Sequence, residues 1–186
     1  MRVILGITGA SGSIFGIRLL ERLRLQPEVE IHLIVSRPGE QILCYETGRT
    51  LAELGPLAHY CYDIEDLQAP PASGSFQSSA MVIAPCSVRT MSAIAAGLAS
   101  NLLLRAADVT LKERRRLILM VRETPLHLGH LRTMTALTEM GAIIAPPIPA
   151  FYHKPSTIMD LVDHSLDRIL DLLGLQAEDT RRWAGA

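Results

Sequence analysis

The sequence predicts an α/β protein built on a doubly wound, mostly parallel sheet, and three observations carry that reading. Apolar runs at 3–7, 31–35, 80–84, 117–121 and 142–145, broken only by His32 in the second, are hydrophobic nearly throughout, as in strands buried on both faces. Segments of helical periodicity lie between them, at 13–25, about 38–47, 87–113, 127–140 and 156–173. Alternation of strand and helix makes the sheet parallel and its crossovers right-handed. The layout is flavodoxin-like or Rossmann-like. At 186 residues the chain reads as a single domain, 1–186, with a C-terminal tail from about 176 that is polar except for Trp183.

The first strand, Val3-Ile4-Leu5-Gly6-Ile7, runs into Thr8-Gly9-Ala10-Ser11-Gly12 and then a helix with Ile14, Ile17, Leu20 and Leu23 on one side. Such a turn offers unpaired N–H groups and the positive end of a helix dipole, a natural seat for phosphate. Ser11 adds a hydroxyl that caps the helix or bonds the phosphate. The glycines do not spell the full dinucleotide fingerprint, so the turn suggests a nucleotide phosphate without naming it. Strand two leads into Ser36-Arg37. Strand three leads into Pro85-Cys86-Ser87-Val88-Arg89-Thr90, and strand four into Arg122-Glu123-Thr124-Pro125. In an open parallel sheet these ends share one edge, where ligands bind. The segment 87–113 reads as two helices broken near Gly97–Asn101. Residues 48–79 read as a long irregular stretch ending in Ala69-Pro70-Pro71-Ala72-Ser73-Gly74-Ser75.

Composition narrows the functional classes. The 18 basic and 19 acidic residues leave a net charge of -1, so no global field invites nucleic acid or an anionic membrane. No apolar run reaches the roughly 18–20 residues that span a bilayer, and the start leaves no room for a signal peptide. Cys44, Cys61 and Cys86 are an odd number without C-x-x-C spacing and read as reduced thiols in a cytoplasmic protein.

Several residues carry two readings. Ser87 and Thr90 are helix caps, or hydroxyls for a second part of the same ligand. Arg122 closes an apolar strand; its forked donors suit a phosphate or carboxylate, or pair with Glu123. Lys112-Glu113-Arg114-Arg115-Arg116 reads as a solvated face, or supplies a lysine that reaches an anion across a subunit contact. His127 and His130 are three apart on a helix, yet no third metal ligand accompanies them. Cys86 reads as a buried structural thiol. Tyr152 follows a proline-rich loop, and Arg168 lies on the last helix.

Seven motifs occur in order: Thr8–Gly12, Ala69–Ser75, Pro85–Ser87, Arg105–Val109, Leu111–Glu113, Arg122–Leu126 and Pro149–His153. Together they resemble the UbiX-type flavin prenyltransferases, a family that includes the small partner proteins of aromatic-acid decarboxylases. The resemblance spans almost the whole chain. It implies a homo-oligomer, typically a dodecamer, with flavin sites at subunit contacts. It implies metal-independent transfer of a dimethylallyl group from dimethylallyl monophosphate to reduced FMN. The product is the prenylated-FMN cofactor handed to a UbiD-type decarboxylase. By motif, Gly9, Ala10, Ser11, Ser36, Ser87, Val88, Arg89, Thr90 and Arg122 would bind FMN. Tyr152 and Arg168 would bind the prenyl phosphate, and Lys112, Glu123 and Glu46 would serve catalysis, some arriving from a neighbouring subunit. Arg89 stands where many members have glycine and others lysine, and Gln68 where many have tryptophan.

Two alternatives share the fold. An FMN-dependent cysteine decarboxylase would carry an Asn-Thr after its proline-alanine-serine loop and a downstream methionine–asparagine motif. This chain has Ser73-Gly74-Ser75-Phe76 and Arg122-Glu123-Thr124-Pro125 instead. A non-catalytic FMN-binding accessory subunit would have no need for Glu46, Lys112, Glu123, Tyr152 and Arg168 together.

Overall fold

In the computed structural model, which describes residues 1–176, one sheet of six parallel strands runs in the order β3-β2-β1-β4-β5-β6. The strands are β1 (Arg2–Ile7), β2 (Glu30–Val35), β3 (Tyr60–Tyr62), β4 (Ala80–Cys86), β5 (Arg116–Val121) and β6 (Ile143–Ile144). Seven α-helices accompany them among the described residues: α1 (Ser13–Arg24), α2 (Arg37–Thr47), α3 (Leu51–Leu54), α4 (Val88–Ala95), α5 (Leu102–Lys112), α6 (Leu128–Glu139) and α7 (Ile158–Leu173). The six-strand order is the Rossmann one. Without the three-residue edge strand β3, the remaining five strands take the flavodoxin order. In either description the order reverses between β1 and β4.

Continuous hydrophobicity has the expected cause. Every residue of β4 is buried, as are all but the first residue of β1 and of β5. Alternate strand residues point to opposite faces. Ile4, Ile34, Met81, Ile83, Leu117 and Leu119 join one cluster with Met91 of α4, Leu103 and Ala106 of α5 and Leu137 of α6. The opposite set includes Val3, Leu5 and Ile7, and α1, with Ile17, Leu20 and Leu23 buried, packs on β1, β2 and β4. Each fully buried side chain of this size contributes about 1.5–3 kcal/mol.

Helix starts reflect local capping chemistry. Ser36 Oγ accepts from Gly39 N–H at the head of α2, Ser87 Oγ from Thr90 N–H at α4, and Asn101 Oδ1 from Leu104 N–H at α5. His127 caps α6 by accepting from Gly129 N–H, so the helix begins at Leu128 rather than 127. The ring of His127 stacks on that of His130, with centroids 3.6 Å apart.

Three sequence expectations need correction. The stretch 48–79 is not irregular throughout: it holds α3, β3 and 3-10 turns at Gly55–Leu57 and Pro70–Ala72. Elements of three or four residues are too short to show a period. Strand 80–84 continues to Cys86, so Pro85 and Cys86 belong to β4 rather than to the turn after it. The last strand, expected at 142–145, narrows to Ile143–Ile144. Cys86 is fully buried, and burial pushes its thiol up to about 12, as a structural thiol requires.

The chain divides into two compact units, Met1–Pro146 and Pro147–Ala186. The first contains the sheet and α1 to α6. In the second, α7 buries Val162, Leu166, Ile169, Leu170 and Leu173 on one side and begins with a capping box between Thr157 and Asp160. The tail with Trp183 lies, from residue 177 on, outside the described residues. No described helix is long and apolar enough to cross a membrane.

Candidate functional site

The carboxyl ends of β1, β2, β4 and β5 open onto a cavity of about 990 Å³. It sits beside the point where the strand order reverses, the place where parallel sheets bind ligands. Thr8 builds that edge. Its hydroxyl is buried, donates to Pro85 O at 2.8 Å and accepts from Ser87 N–H at 2.9 Å, tying the end of β1 to the end of β4. Gly9 is a packing residue: a Cβ there would lie 2.5 Å from Pro38 Cβ at the start of α2.

The structure brings Gly9, Ala10, Ser11, Ser36, Ser87, Val88, Arg89, Thr90, Arg122 and Glu123 to this one cavity. The heads of α2 and α4 both open toward it, although in the first turn of α2 Pro38 has no N–H to offer and Ser36 Oγ takes that of Gly39. Ser36 and Ser87 therefore cap a helix and line the cavity at once. Ser87 Oγ also donates to Thr90 Oγ1 at 3.1 Å. Arg37, Arg89 and Arg122 supply positive charge, while Ile64, Val88, Leu103 and Leu104 supply apolar wall. Glu123 is half-buried and accepts from Thr124 N–H at 3.0 Å. This donor set fits a flat, apolar ring system carrying a phosphate.

The head of α1 departs from expectation. Ser11 does not cap it. The carboxylate of Glu46, near the end of α2, accepts from Gly12 N–H at 3.0 Å and from Ser13 N–H at 2.9 Å. The anion seat of the Thr8–Gly12 turn is filled by the protein's own carboxylate. Partial burial raises the Glu46 carboxyl. Hydrogen bonds from the Ser11 side chain and from the Ser13 and Gly12 N–H groups outweigh that and hold its pKa below the usual value. Glu46 thus touches the cavity through Ser11, which lines it, rather than lining it itself.

Lys112 is not brought to this cavity. It ends α5, whose first turn lines the cavity through Leu103 and Leu104, so it lies toward the other edge of the sheet. There its ammonium pairs with Glu113. The basic run is also not simply solvated: Arg115 is 16% exposed and donates to the carbonyls of Gly74, at 2.8 Å, and Phe76. Tyr152 and Arg168 belong to the second unit. Tyr152 Oη lies 2.8 Å from His164 Nε2, and Arg168 Nη1 lies 3.8 Å from Asp171 Oδ2.

Sequence reasoning placed Arg37 at the ligand edge but missed Pro38, Ile64, Glu65 and Asn101 as cavity residues. Ile64 and Glu65 come just after β3, the strand too short to be read, and Glu65 Oε1 lies 3.8 Å from Arg37 Nε. Asn101 had a legible signal, because an asparagine before an apolar helix is a cap at a strand-end edge.

Fold and cavity define a nucleotide-binding α/β protein, and a family model described as Flavoprotein matches residues 1–170. The flavin prenyltransferase UbiX of Thauera aromatica is 50% identical over 185 residues, covering 100% of this chain and 95% of the relative. The solved structure of AnUbiX (PadA1) in complex with FMN and dimethylallyl pyrophosphate is 46% identical, with a TM-score of 0.97 over 100% of this chain and 98% of that one. A dodecameric FMN-dependent UbiX-like decarboxylase from Escherichia coli O157:H7 is 43% identical, with a TM-score of 0.98 and both chains fully covered. The chain belongs to the UbiX family of flavin prenyltransferases.

Proposed function

We propose that the protein transfers a dimethylallyl group from dimethylallyl monophosphate to reduced FMN, making the prenylated-FMN cofactor of UbiD-type decarboxylases. The observation that carries this is the cavity at the strand-order reversal, whose lining matches the flavin-binding residues implied by the family motifs. Reduced FMN supplies the nucleophilic ring nitrogen and neighbouring carbon that take the prenyl carbons. Ser36, Ser87 and Thr90, with the N–H groups of α2 and α4, hold the flavin nucleotide by its phosphate and polar edges. Arg122 places a cation beside the reacting groups, and Glu123 holds or delivers a proton on the departing phosphate oxygen. Ser11 and Glu46 form a polar pair at the head of α1 that orients one wall of the site.

Lys112, Tyr152 and Arg168 complete the phosphate pocket in this reading, with Lys112 supplied by a neighbouring copy. Its place away from this chain's own cavity supports a shared site. The dodecameric relative supports the same homo-oligomeric assembly. The family match over 1–170 supports reading the two units as one flavoprotein domain. We place the protein in the cytoplasm, in keeping with three free cysteines.

A cysteine decarboxylase is the weaker reading, because Arg122-Glu123-Thr124-Pro125 replaces the methionine–asparagine motif such an enzyme needs. A non-catalytic accessory subunit is separated from an enzyme by assay. Anaerobic incubation with reduced FMN and dimethylallyl monophosphate, then mass analysis of the flavin, should show the added prenyl group. Unmodified flavin under saturating substrate would overturn the proposal.

A further inference from the structure

Lys112, whose side chain is 45% exposed, heads a set of linked contacts away from the cavity of its own chain. Lys112 ends α5 and pairs with Glu113. The second oxygen of Glu113 lies 3.9 Å from Arg115 Nη2. That same Nη2 donates to Gly74 O at 2.8 Å, while Nη1 donates to Phe76 O at 2.5 Å and lies 3.4 Å from Ser78 Oγ. The loop so held begins at the 3-10 turn Pro70–Ala72, where Arg105 Nε of α5 donates to Ala72 O at 3.0 Å. Gly74 closes the set. A Cβ there would stand 2.8 Å from Lys112 Nζ and closer still to Glu113 Oε1.

We infer that Gly74 and Arg115 are positioning residues for Lys112: together they fix where its ammonium can stand. The inference rests on the reading of Lys112 as a cation that supports phosphate departure. A lysine head on a flexible four-carbon stem is a mobile charge, and a charge stabilises a leaving group only where it is held. Glu113 draws the ammonium to one side, Arg115 anchors both Glu113 and the loop, and the bare Cα of Gly74 leaves the space the ammonium occupies. The atoms that a new methyl would strike are the tips of flexible side chains. The fold can absorb Gly74→Ala, but the Lys112–Glu113 pair must move.

The test is a double-mutant cycle in the full-length protein. Gly74→Ala, Lys112→Met and the double variant are compared in single-turnover formation of prenylated FMN, with reduced FMN and dimethylallyl monophosphate saturating. Gly74→Ala should lower the rate about 10- to 100-fold, the scale of an ångström-sized misplacement. Its Tm and FMN affinity should stay at the wild-type values, and it should cause no further loss in the Lys112→Met background. Equal losses in both backgrounds, or an undiminished rate for Gly74→Ala, would overturn the positioning role while leaving Lys112 in place. A wild-type rate in Lys112→Met would remove Lys112 itself and the inference with it. If Gly74→Ala lowers Tm, Arg115→Lys decides. It keeps the charge, loses the fork to the loop carbonyls, and must show the same dependence on Lys112.

Discussion

Replacing Glu46 by alanine tests the most unexpected feature of the site, a helix head capped from a distant helix. The carboxylate accepts from two N–H groups at 2.9 and 3.0 Å and holds the Ser11 side chain as well. Hydrogen bonds to a charged group contribute about 1.5–3 kcal/mol each when shielded. Glu46 is exposed and water reaches the freed N–H groups, so the range for a lost cap applies, about 1–2 kcal/mol. For a chain of this size that lowers Tm by about 2–8 °C.

The pH dependence is set by the sign of the shift. The folded carboxyl titrates below its ordinary 4.5, so the unfolded chain binds the proton first as pH falls. The Glu46 contribution is complete above about pH 5.5 and is lost as pH drops through the folded value. Thermal melts of wild type and Glu46→Ala, ligand-free and at one protein concentration, should therefore differ at pH 7 and draw together as pH falls below the ordinary 4.5. Sulfate should narrow the gap at pH 7 by taking the vacated seat. Melts that coincide at pH 7, or a gap that survives unchanged in acid, would refute the capping argument.

Two further substitutions probe the cavity. Arg122→Ala should weaken FMN binding by about 1.5–3 kcal/mol, the value of a hydrogen bond to a charged group; unchanged affinity in a fluorescence titration would remove Arg122 from the flavin site. Glu123→Gln keeps the shape of the side chain but not its proton, so FMN should bind normally while turnover falls about 10²- to 10⁴-fold. Near-normal prenylation by that variant would make Glu123 structural.

The sequence by itself determined the architecture and most of the ligand edge. Continuous apolar runs flanked by helical segments make strands covered on both faces, and the turns at the carboxyl ends of parallel strands gather at one edge. That logic groups Ser36, Ser87, Thr90 and Arg122, and the cavity holds all four. It could not see β3, whose three residues carry no period, and so it missed Ile64 and Glu65 behind it. Tertiary structure alone decided which anion sits at the head of α1, because the Glu46 that reaches Gly12 lies 34 residues away in the chain. It also decided that Lys112 stands apart from its own chain's cavity. A helix of 11 residues carries its two ends to opposite edges of the sheet, and the motif at each end reads the same wherever that edge points.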